Sequence, residues 1–278
     1  MSERPDAVVP AIPWRPALIT VVVAAAGLLA SCGSMAKMAY LELMPMRGFE
    51  THAGNTLVHF ERGAEGAAEA VVEGLDAAVR QIETSHGAAL LRRPDVYVCA
   101  STACYERNAF TPLSRAETRP LGHSVILQGG LLLDEKRLQA VLTHELSHVF
   151  WFERGIRCHP RWWTEGLAVE SSGGGGAELQ PINAAVQALR GGAAFTDLGE
   201  SCLERNSASR AGMSWPMFYR QAGMFVGWLR ARDGAAFGNA LAQLRGGAGL
   251  TPSIESAFDV PLPTLWQDWR RAVAEAAP

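Results

Sequence analysis

Apolar positions in the first half of the chain come in short runs. Residues 57–60, 95–99 and 124–127 carry the Val- and Ile-rich runs expected of strands. Between the first two lies an Ala- and Glu-rich stretch, 64–84, where Val71, Val72, Leu75, Val79 and Ile82 recur near helical spacing. The third strand ends in Gln128-Gly-Gly, a turn signal. Asp134 then reads as a helix N-cap, with Leu138, Val141, Leu142, Leu146 and Val149 as the buried stripe that follows. Farther on, the pattern is helical: 180–190, 215–232, 235–245, a short turn near 254–258, and 262–275. The Ser-Ser-Gly-Gly-Gly-Gly run at 171–176 has no side chains to pack and reads as a flexible connection. The expected class is therefore α+β, with a mixed α/β lobe over 32–172 and an all-helical lobe over 173–278.

Residues 1–16 are polar and Pro-rich with Arg4 and Arg15, and they lead into an apolar run over 17–30, the length of a signal-peptide core. Leu29-Ala30-Ser31-Cys32 resembles the lipobox of bacterial lipoproteins. That resemblance implies removal of residues 1–31, a lipid anchor at Cys32 and a domain in the periplasm. Gly33, in place of an Asp, favours the outer membrane. An uncleaved signal anchor, or a signal peptide with an incidental cysteine, is the plainer alternative.

Composition narrows the function. With 25 Lys+Arg against 28 Asp+Glu the net charge is −3, so the chain lacks the basic field that holds nucleic acid. At 48% apolar and 19% charged it is too apolar for disorder. Beyond Cys32 the cysteines are Cys99, Cys104, Cys158 and Cys202. In an oxidising compartment these allow two disulfides in three pairings. The short loop favours Cys99 with Cys104, which leaves Cys158 with Cys202. No Cys-x-x-Cys pair is present, which argues against a thiol-built zinc site.

The chemistry concentrates at His144-Glu145-Leu-Ser-His148. Four residues make about one helical turn, so both imidazoles leave one face and can share a tetrahedral metal ion. Glu145, ~100° round the helix, can address a metal-bound water. Catalytic zinc needs a third protein ligand, and Trp162-Trp-Thr-Glu165-Gly-Leu-Ala168 offers Glu165. A glutamate early in a helix can also simply complement the helix dipole. The remaining histidines have no ligand spacing, and Trp151, Trp162 and Trp163 are expected to build the wall behind the metal.

These two segments together resemble the gluzincin zinc metallopeptidases, most closely the bacterial peptidase MA-like group. The resemblance spans residues 124–234. It implies one Zn²⁺ per chain held by His144, His148 and Glu165, with Glu145 as general base and a peptide or protein as substrate. Tyr219-Arg-Gln-Ala-Gly-Met-Phe-Val226 is similar to the clan's helix whose leading Tyr stabilises the oxyanion, although Tyr219 also fits an ordinary packed face. Two departures matter. The aminopeptidases of the clan carry a Gly-x-Met-Glu-Asn segment, whereas residues 123–130 contain no Glu, so an endopeptidase is favoured. Thermolysin-like enzymes place an Asp four residues after the ligand Glu to orient a histidine; here that position is Val169, with Glu170 the nearest carboxylate. The alternative function is a non-catalytic envelope lipoprotein that uses the same fold as a binding or scaffold module.

Overall fold

The computed structural model of the protein describes residues 37, 39–41, 46–111, 114–119, 123–131, 134–156, 159–195, 198 and 207–275. Residues 1–45 and 46–278 form two separate units. In the first, the described residues are helical. Cys32, Cys158 and Cys202 lie outside the described residues, and with them the lipobox and the second disulfide.

The second unit is α+β. Its strands are β1 (Glu50–Thr51), β2 (Val58–Phe60), β3 (Asp95–Cys99), β4 (Ala116–Thr118) and β5 (Ser124–Gln128). They form one sheet in the order β1-β2-β3-β5-β4. The three central strands are parallel, and β1 and β4 run antiparallel at the edges. Strand alternation sorts the two faces. Val58, Val96, Val98, Val125 and Leu127 join the main core. Cys99 and Ile126 join a smaller core on the opposite face, with Tyr97 packed against it.

That smaller core is closed by α2 (Thr102–Asn108), whose first turn is capped by Ser101 and which is tied to β3 by the expected Cys99–Cys104 disulfide. The main core is covered by α1 (Glu65–His86) and α3 (Glu135–Phe152). Asp134 caps α3 as expected, its Oδ1 accepting from the Lys136 N–H at 3.0 Å. β1, β4 and α2 have no counterpart in the hydrophobic pattern because two or three strand residues, or a seven-residue helix, are too short to display a period.

The remaining helices are α4 (Arg161–Ser171), α5 (Ile182–Arg190), α6 (Ser207–Arg210), α7 (Trp215–Arg232), α8 (Gly234–Arg245), α9 (Leu250–Phe258) and α10 (Leu262–Glu275). Where a short turn near 254–258 is expected, α9 forms a full helix because Leu250 and Ile254 are buried one turn apart. The main core runs without a break from Val58 through Trp162 and Trp163 of α4 to Trp266 and Trp269 of α10, so the sheet and the C-terminal helices share one interior. Trp151, Trp162 and Trp163 are all buried in it.

Helix α4 packs on α7 so closely that a Cβ at Gly166 would lie 2.7 Å from the Ala222 carbonyl oxygen. The glycine run at 173–176 is not a loose connection. Gly174 and Gly175 are buried, and the Gly174 N–H donates to the Val169 carbonyl at 2.8 Å. No described helix is long and apolar enough to cross a membrane.

Candidate metal centre

One face of α3 carries Leu138, Leu142, Leu146 and Val149 into the core, and the chain keeps His144 and His148 together on another. Their ring centroids are 4.9 Å apart. Helix α4 begins after Pro160 and brings Glu165 opposite them. Three atoms able to ligate a metal form a nearly equilateral triangle. Nε2 of His144 lies 3.2 Å from Nε2 of His148, and Glu165 Oε2 lies 3.4 Å and 3.5 Å from those two nitrogens. Donors about 2.0–2.1 Å from a tetrahedral zinc are about 3.3 Å apart, so the triangle has the dimensions of three corners of a zinc site.

Tautomer chemistry supports the same fit. The Nδ1 of His144 lies 2.8 Å from the Gly175 carbonyl oxygen, which can only accept, so His144 carries its proton there and the Nε2 lone pair faces the triangle. Two charges stabilise this buried set. Burial alone would raise the Glu165 carboxyl, but the two imidazoles hold it well below the usual carboxylate range. Burial likewise works against protonated His144, and Glu165 with Glu145 outweighs it and raises its pKa. Arg161 adds a permanent cation, its Nη1 3.6 Å from Glu165 Oε1.

Glu145 and Tyr219 flank the triangle. Thr118 Oγ1, from edge strand β4, lies 2.9 Å from Glu145 Oε2 and 2.8 Å from the Glu145 backbone oxygen. Tyr219 emerges from the first turns of α7, with its ring stacked on His144 at 6.4 Å between centroids. Burial, and then the nearby Glu165 carboxylate, keep the Tyr219 hydroxyl protonated far above its ordinary range. His148 stacks on Phe152, one turn later in α3. Under α3, the fully buried His86 places Nε2 2.8 Å from Ser147 Oγ and packs edge-on against Phe150.

All five residues singled out in the sequence, His144, Glu145, His148, Glu165 and Tyr219, therefore meet at one place. Glu170 does not orient a histidine; its carboxylate is held by Arg230, with Nε 2.7 Å from Oε1 and Nη2 2.9 Å from Oε2. The histidine's partner is instead the Gly175 carbonyl, a group every residue carries and no pattern announces. Thr118 is equally silent in the sequence, since its strand is three residues long. A second grouping, Glu61 with Cys99 and Cys104, offers no thiolates because the cysteines are bonded to each other. Comparison with known proteins finds no family model, no curated protein and no solved structure that matches the chain.

Proposed function

We propose that the chain is a zinc-dependent peptidase of gluzincin type, with one Zn²⁺ held by His144, His148 and Glu165. The observation that carries this reading is the 3.2–3.5 Å triangle of ligand atoms, with the His144 lone pair turned into it. A zinc ion there supplies a Lewis acid and lowers the pKa of a water towards about 7.

The protein's own groups do the rest. Glu145 accepts the proton of the attacking water and delivers it to the leaving amine. Thr118 keeps that carboxylate from rotating away. The Tyr219 hydroxyl, held protonated, donates to the oxygen that gains charge as the carbonyl is attacked. Strand β4 ends the sheet beside Glu145, so its outer edge is where an extended peptide backbone adds as a further strand. Such a strand continues past the scissile bond in both directions, in keeping with endopeptidase action. The lipobox adds a location to the proposal: a periplasmic domain anchored to the envelope through Cys32.

The test is incubation of the purified, zinc-loaded protein with an unbiased peptide library, followed by mass spectrometry. Internal cleavage that stops on chelation is the expected result. One equivalent of bound zinc without any cleavage would overturn the peptidase reading and favour a binding or scaffold module.

A further inference from the structure

In the 173–176 run, the last three glycines sit where a side chain does not fit. Gly174 and Gly176 have φ of +112° and +80°, the left-handed region that L side chains rarely adopt. Gly175 has an ordinary φ, but a Cβ there would lie 2.2 Å from the Ala140 carbonyl oxygen of α3. At Gly176 a Cβ would lie 2.7 Å from Cε1 and 2.9 Å from Nδ1 of His144. The imidazole is therefore seated directly on the Gly176 backbone while Gly175 accepts from its Nδ1.

The turn itself is fastened at several points. Gly175 N–H donates to Ser172 Oγ at 2.9 Å, and Gly176 N–H donates to Glu178 Oε1 at 3.0 Å. Arg220, the residue after Tyr219 on α7, donates from Nη2 to the Ala177 carbonyl and from Nε to the Gln180 carbonyl, both at 2.8 Å.

We infer that the 174–176 turn is the positioning element of the metal centre: it fixes the tautomer and plane of His144 and thereby presents Nε2 at the ligand position. The inference rests on the metal site proposed above. It also makes Arg220 a positioning residue, because the same helix that carries Tyr219 holds the turn against α3. A partner on the far nitrogen of a ligating histidine raises ligand basicity and fixes the ring, and losing it costs about 10–100-fold in metal affinity.

Two glycines separate this role from general strain. Gly173 has φ +70° with nothing within 4 Å of an added Cβ, so alanine there strains the backbone without touching His144. Zinc affinity, measured by competition with a chelator, should fall by about 10–100-fold in Gly176→Ala and stay at the wild-type level in Gly173→Ala. The ¹⁵N NMR spectrum should show a proton on His144 Nδ1 in the wild type and in Gly173→Ala, and its loss or broadening in Gly176→Ala. Arg220→Gln leaves every glycine in place, and it carries the test should Gly176→Ala fail to fold: weaker zinc binding is expected there too. Equal affinities in the wild type and these variants, or equal losses at Gly173 and Gly176, would overturn the positioning role. A wild-type chain that binds no zinc would overturn the metal site itself.

Discussion

The two sides of the centre are built from different material. On the helical side, α3, α4 and α7 carry all five side chains that meet at the centre: His144, Glu145, His148, Glu165 and Tyr219. On the other side, β4 and the glycine turn supply only supports, a threonine hydroxyl and a backbone carbonyl. Reactive groups sit on rigid, regularly repeating elements, where side-chain direction follows from spacing. Their orientation depends on short, irregular pieces that do no chemistry. The comparison implies a graded outcome: damage to the helical side should abolish function, whereas damage to the other side should loosen it.

The largest effect should come from Glu145→Gln. It removes the proton acceptor, so turnover should fall by about 10²–10⁴-fold while zinc content, measured by metal analysis, stays at the wild-type value. Tyr219→Phe comes next. The hydroxyl is the only atom lost, and peptide turnover should drop by about 10²-fold with KM nearly unchanged; wild-type turnover would leave Tyr219 as a packing residue and shorten the helical side by one group.

Thr118→Val tests the supporting side directly. The hydrogen bond to a charged partner is worth about 1.5 kcal/mol, so turnover should fall by about tenfold with zinc retained. A loss as large as that of Glu145→Gln would erase the distinction between reacting and supporting groups.

The last effect falls on stability and not on turnover, beneath α3. Burial, with Arg230 and other cations adding to it, pushes the His86 pKa down to about 3 from an ordinary value of 6.5. The folded state holds His86 neutral, so its contribution is fully present above pH 6.5. Below that the unfolded chain takes up a proton the folded one refuses, and stability declines by about 1.4 kcal/mol per pH unit until the folded value near 3 is reached. Urea denaturation between pH 7 and pH 5 should show this slope in the wild type and a flatter one in His86→Gln. Equal slopes would mean that His86 does not carry the acid sensitivity of the fold.

How legible each side was follows from its material. Helices α3, α7 and α10 were readable because long amphipathic periods overdetermine them; the expected 215–232 and 262–275 coincide with Trp215–Arg232 and Leu262–Glu275. His144, His148 and Glu145 were readable because one helical turn converts sequence spacing into common placement. Glu165 and Tyr219 needed the family resemblance, since nothing in their own spacing says that α4 and α7 converge on α3. Thr118 was beyond reach, as its strand is set by pairing with β5 rather than by a local pattern. The glycine run reads as a flexible connection yet is tightly enclosed, for a physical reason. Missing side chains look the same in sequence whether the backbone is free or is so tightly enclosed that a single carbon would collide.

The same rule of exclusion governs the contact between α4 and α7. A Cβ at Gly166 would meet the Ala222 carbonyl, and a Cβ at Gly223 would lie 2.5 Å from Val169 Cγ1, so each helix comes closest to the other at a glycine. Glu165 and Ala222 flank that contact from neighbouring positions, with Tyr219 one turn before it. The spacing of α4 and α7 beside Glu165 and Tyr219 is thereby set by two absent carbons: a Cβ at either glycine would have to push the helices apart, and the two side chains with them.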